Sequence, residues 1–119
     1  MKEYNTLALA YLGDAVFELY VRNYLLEKNI VKVNELQKEA INFVSAKNQV
    51  KILERIQEHL NDVELDYVKR GRNAKSHKAP KNTDILTYKH ATGFEALIGY
   101  LYLNDKNRLE ELMERILEV

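Results

Sequence analysis

The chain has no cysteine and no tryptophan, and only one proline and four glycines in 119 residues. Without cysteine there is no disulfide framework and no thiolate metal site, which is compatible with a reducing cytoplasm. With so little proline and glycine, and with Ala, Leu, Glu and Lys common, little interrupts a helix, and an all-α domain is expected. No segment shows the period-two alternation of a strand. No apolar run reaches membrane-spanning length, because Arg22 breaks the best candidate. The start, Met1 to Asn5, lacks the long uncharged stretch of a signal peptide. Net charge is also absent: 18 basic residues balance 18 acidic ones. That balance by itself argues neither for nor against a nucleic-acid partner.

The distribution of charge says more. Lys69, Arg70, Arg72, Lys75, Lys78 and Lys81 fall in one stretch without an acidic residue, whereas the acids concentrate in 58–66 and 110–118. A locally basic segment on a neutral domain points to one polyanion-facing surface. Arg70 and Arg72 suit bidentate phosphate contacts. The plain alternative is a solvated surface loop, which most charge runs are.

The length fits a single domain over 1–119. The first helix is expected from caps at Asn5-Thr6 to about Lys28. It is apolar on two faces, so it reads as a central helix or one in a subunit interface. Gly13 inside it costs about 1 kcal/mol relative to Ala, which the close approach of another backbone would explain. Further helices are expected after Asn34, from Ser45-Ala46 to about His59, from Asn61-Asp62 to about Arg70, from Asn82 to Asp84 as far as Leu103, and from Asp105 to Glu118. Gly71 to Asn82 reads as a loop.

Two carboxylates stand at the centre of apolar helical stripes. Asp14 shares a face with Leu7, Ala10, Tyr11, Phe17 and Val21, and Glu95 shares one with Tyr88, Ala91, Ile98 and Tyr102. A charge on an inward face is costly unless something pairs with it, and no Lys or Arg lies one turn from either residue. A cation shared by both is the economical explanation. Mg²⁺ is held by one or two carboxylates, waters and substrate phosphates. It can acidify a bound water and stabilise charge on a phosphoryl oxygen, which is the chemistry of phosphodiester hydrolysis. The structural alternative is that Asp14 caps a helix after a break at Gly13 and that Glu95 bonds a tyrosine in the core. Other candidates are weaker. His59, His77 and His90 lack metal-ligand spacing, and no phosphate-binding glycine loop or nucleophile motif is present. Glu18, one turn beyond Asp14 on the edge of its stripe, reads as a solvated or ion-paired residue, the alternative being an outer partner of the metal ligands.

The two carboxylate segments together resemble the ribonuclease III family. LALAYLGDAVFELYVR, Leu7 to Arg22, is similar to its signature helix with a Leu-Gly-Asp core, and ATGFEALIGYLYL, Ala91 to Leu103, to its second catalytic helix. RGRNAKSHKAPKN, Arg70 to Asn82, resembles the basic stretch of the Mini-ribonuclease III branch, which is a catalytic domain without a double-stranded-RNA-binding domain. The resemblance implies an all-α endonuclease fold, a homodimer, and Mg²⁺-dependent cleavage of double-stranded RNA. It further implies maturation of precursor 23S ribosomal RNA in the cytoplasm, with assistance from a large-subunit ribosomal protein. By the same resemblance, Asp14 and Glu95 are the catalytic and metal-binding acids. Lys69, Arg70, Arg72, Asn73, Lys75, Lys78 and Lys81 are the RNA-binding candidates. Two acids of the broader family are missing: their positions are Ala10 and Thr92. That departure leaves a competing expectation of an inactive RNA-binding dimer with the same fold, and a blander one of a helical interaction module.

Overall fold

A computed structural model describes residues 4–75 and 83–117. They form six α-helices and no strand: α1 (Thr6–Glu27), α2 (Val33–Val44), α3 (Ala46–Ile56), α4 (Asp62–Asn73), α5 (Ile85–Asn104) and α6 (Lys106–Leu117), with a 3-10 turn at Gln57–His59. The all-α expectation therefore holds for these residues.

The boundaries follow local chemistry. The Asn5 side chain accepts hydrogen bonds from the first amides of α1. At the other end Asn29 turns left-handed (φ 65°), and the Ile30 amide reaches back to the Leu25 carbonyl at 3.2 Å, closing the helix. Ser45 caps α3, and Asp84 caps α5. Asn61 and Glu64 form a reciprocal capping box at the start of α4. The Glu64 carboxylate is almost fully buried and also accepts from Arg108 of α6, with Nε–Oε2 at 2.8 Å and Nη2–Oε1 at 3.0 Å. One buried ion pair thus ties a helix start to a distant helix.

α1 and α5 cross at the centre, and the other helices pack around them. Phe17 of α1 meets Phe94 of α5 edge-to-face at 5.0 Å. Ile52, Leu53 and Ile56 of α3 and Leu109, Leu112, Met113 and Ile116 of α6 complete the core. The crossing is tight because glycines line it. A Cβ on Gly13 would lie 1.8 Å from the Glu95 carbonyl oxygen, and one on Gly99 would lie 2.0 Å from that of Leu9. The backbone approach expected at Gly13 is real, and it is made by α5 of the same chain.

Three expectations are corrected. Gly71, Arg72 and Asn73 are the last turn of α4, not the start of a loop. Gly71 is buried there because its missing side chain lets α4 rest on Gly93 of α5. Asp14 is exposed, and so is its stripe neighbour Tyr11; only Ala10, Phe17 and Val21 of that stripe are buried. Finally, α1 is not buried on both sides within the chain. Tyr11, Leu19 and Leu26 face outward, and α2 has no buried residue at all. A groove of about 590 Å³ runs between these two helices, lined by Leu25, Leu26, Val33, Leu36, Ala40 and Ile41 among others.

Candidate active site at the α1–α5 crossing

The glycine contact that locks α1 onto α5 also sets the site. Gly13 lies against the backbone of Glu95, so the next residue, Asp14, emerges beside the Glu95 side chain. The Asp14 carboxyl lies close enough to that of Glu95 to act on its protonation. Partial burial first, and then the neighbouring Asp14 carboxyl and its charge, push the Glu95 carboxyl up to about 8. The influence in the opposite direction is the Gln49 side-chain amide; among the described residues no lysine or arginine acts on Glu95. Without a bound ion, the Glu95 carboxyl therefore keeps its proton at neutral pH.

The donor set is small. Among the described residues no group of three or more His, Cys, Asp or Glu gathers in a way that could hold a metal. Ala10 and Thr92, at the positions of the missing acids, are both buried. The Thr92 hydroxyl donates to the Tyr88 carbonyl one turn back, at 2.9 Å. Two carboxylate side chains with solvent access on one side still fit Mg²⁺, which keeps several waters and takes further oxygens from a phosphate. They do not fit a dehydrated, all-protein cage.

Of the basic candidates, Lys69, Arg70, Arg72 and Asn73 lie in the last turns of α4, and Lys75 just follows it. Arg70 pairs with Asp66 at 2.8 Å and stacks over Tyr67, which itself stacks on Tyr100 of α5. Arg72 is half-buried, with Nε 3.4 Å from Asn73 Oδ1. Lys69 and Lys75 are exposed. Lys78 and Lys81 lie outside the described residues. Glu18 pairs with Arg22 at 3.4 Å on the rim of the α1–α2 groove.

Gln49 and Glu64 were missed in the sequence. Gln49 shares a stripe with Ile52, Leu53 and Ile56 of α3, so a polar residue on an apolar face was the available signal. Glu64 could have been found from its three-residue spacing to Asn61.

The architecture and the paired acids define a class that comparison with known proteins bears out. The Ribonuclease III domain family matches residues 7–106. A crystal structure of a Fusobacterium nucleatum protein superposes with a TM-score of 0.85 at 31% identity, covering 98% of this chain and 94% of that one. Mini-ribonuclease 3 of Clostridium tetani is 47% identical over 121 residues, covering 100% of this chain and 80% of the relative. That of Brevibacillus brevis is 51% identical over 112 residues, covering 93% and 84%. The chain belongs to the Mini-ribonuclease 3 group of ribonuclease III-type endoribonucleases.

Proposed function

We propose that this protein cleaves double-stranded RNA by Mg²⁺-dependent phosphodiester hydrolysis, with Asp14 and Glu95 as its catalytic metal ligands. The observation that carries the reading is the apposition of these two carboxyl groups across the α1–α5 crossing, with no lysine or arginine among the described residues acting on Glu95. When bound, a divalent cation supplies positive charge to the scissile phosphate and acidifies a water. Asp14 is exposed and Glu95 partly buried, so the two would hold a cation on the solvent side of the crossing, where a duplex would dock. Lys69, Arg70, Arg72 and Lys75 grip phosphates beside it, together with Asn73, Lys78 and Lys81. Such contacts position a duplex but carry little sequence information. The apolar side chains exposed along α1 and α2 support a homodimer, in which an isologous contact would cover both copies. The biological substrate in this reading is precursor 23S ribosomal RNA in the cytoplasm, shaped for cleavage by a large-subunit ribosomal protein.

The deciding experiment is cleavage of a structured duplex RNA, followed on a gel with Mg²⁺ or with EDTA, for the parent and Asp14→Asn. Mg²⁺-dependent products from the parent alone support the assignment. Products from Asp14→Asn at the parental rate remove Asp14 from the site. The buried, non-ligating Ala10 and Thr92 favour a second reading, an inactive RNA-binding dimer; duplex binding without products at any Mg²⁺ concentration would establish it.

A further inference from the structure

Gln49 sits in the first turn of α3 with 2% of its surface exposed. Its Nε2 lies 3.2 Å from the Val44 carbonyl oxygen and 3.4 Å from Oε2 of Glu95. An amide nitrogen carries two protons, so one can go to each acceptor. The orientation is fixed by Val44, because exchanging oxygen and nitrogen would set two acceptors against each other and leave Glu95 without a donor. The result is that Oε1 is buried without a partner, the one such side-chain atom among the described residues.

That arrangement is expensive for a residue with only a packing role. A buried acceptor left without a partner is destabilising, and an apolar side chain of the same volume would have no such acceptor. The stripe around Gln49 is otherwise apolar: Ile52, Leu53 and Ile56 follow it at helical spacing. The start of α3 is also held rigidly. Asn48 Nδ2 donates to Ser45 Oγ at 2.8 Å and to the Ile41 carbonyl at 3.4 Å, so the turn that carries Gln49 is tied to the end of α2. What the amide gains in return is two contacts, one that satisfies the Val44 carbonyl at the end of α2 and one that reaches Glu95.

We infer that Gln49 is a positioning residue for Glu95: its Nε2–H holds one carboxylate oxygen so that the remaining lone pairs are presented, with Asp14, to a divalent cation. The inference rests on the reading of Asp14 and Glu95 as the cation site. Gln49 does not itself touch the cation or the RNA. Outer partners that orient metal-ligating carboxylates typically change metal affinity by about 10–100-fold when removed. α3 thereby becomes a third element of a site otherwise built by α1 and α5.

The test is Mn²⁺ binding to the RNA-free protein, followed by the loss of the free-ion electron paramagnetic resonance signal, in the parent, Glu95→Gln and Gln49→Met. Methionine keeps the volume of Gln49 and removes the donor. Gln49→Met is expected to weaken Mn²⁺ binding by about tenfold. Its metal-free binding of duplex RNA should stay at the parental value, and a change in its melting temperature in EDTA reads the loss of the Val44 contact separately. Parental Mn²⁺ affinity in Gln49→Met overturns the inference, and so does a fall in melting temperature with unchanged affinity, which marks a packing role only. Failure of the parent itself to bind Mn²⁺ removes the cation site, and the inference with it, a result distinct from the other two. Should Gln49→Met not fold, the ¹⁵N-labelled parent serves. Its Gln49 side-chain NH₂ resonance is expected to shift as Mg²⁺ is added, and a fixed resonance while Mg²⁺ binds overturns the proposal.

Discussion

Replacing Gly13 by alanine sets two opposed effects against each other at one atom. Alanine is the better helix former, and in a solvent-facing helix the exchange stabilises by about 1 kcal/mol. Here the added methyl would lie 1.8 Å from the Glu95 carbonyl oxygen, 2.7 Å from its carbon and 2.8 Å from the Gly99 nitrogen. All three are backbone atoms, so no side chain can swing aside. Ordinary contact begins near 3.4 Å, so α1 and α5 must part by about 1.5 Å at their crossing. Overpacking a core costs about 1–3 kcal/mol where side chains can adjust, and the immovable neighbour places this case at the upper end. After the propensity gain, a net loss of about 2 kcal/mol is expected, or roughly 8 °C in melting temperature for a domain of this size. Urea unfolding should show a lower midpoint with an unchanged slope. Cleavage should fall further than folding does, even where the variant is fully folded, since the same separation draws Asp14 away from Glu95. Gly99→Ala should behave alike, and the double variant should lose less than the sum, because helices parted by one methyl have room for the second. A melting temperature equal to or above the parent's would refute the reasoning.

Other expectations follow from the same geometry. In EDTA the folded chain keeps the Glu95 proton up to about 8, while the unfolded chain releases it near 4.5. Stability should therefore fall as pH rises between those values, and Glu95→Gln should flatten that part of the profile; differential scanning calorimetry of both proteins checks it, and identical profiles would refute it. Arg108→Met leaves the Glu64 carboxylate buried without its cation and should cost about 3 kcal/mol in chemical denaturation. Lys69→Ala should leave the fold intact and reduce the salt dependence of duplex binding by about one unit of slope, measured in EDTA to separate binding from cleavage.

Much of the molecule is legible without coordinates. Capping residues such as Asn5, Ser45, Asn61 and Asp84 declare helix starts locally, because each satisfies amides within its own first turn. The spacing of apolar residues likewise assigns most inward faces, and a carboxylate in such a stripe announces a site candidate. Asp14 and Glu95, 81 positions apart, were singled out as a possible pair on that ground alone. Gly71 was misplaced because glycine is ambiguous in sequence. The same residue ends a helix in one context and admits a neighbouring backbone in another, and only the presence of Gly93 opposite decides which.

The sequence by itself determined which segments are helical, which faces carry carboxylates and where the basic stretch lies, since these depend on residues within a few turns of one another. The tertiary structure decided what those residues do to each other. It brought Glu95 against Asp14 through a crossing that only glycine permits, set the Gln49 amide against Glu95, buried Glu64 beneath Arg108, and left Asp14 open to solvent. Proton affinity, hydrogen bonding and exposure are set by distances between helices, and distances between helices are fixed by packing that no local pattern encodes.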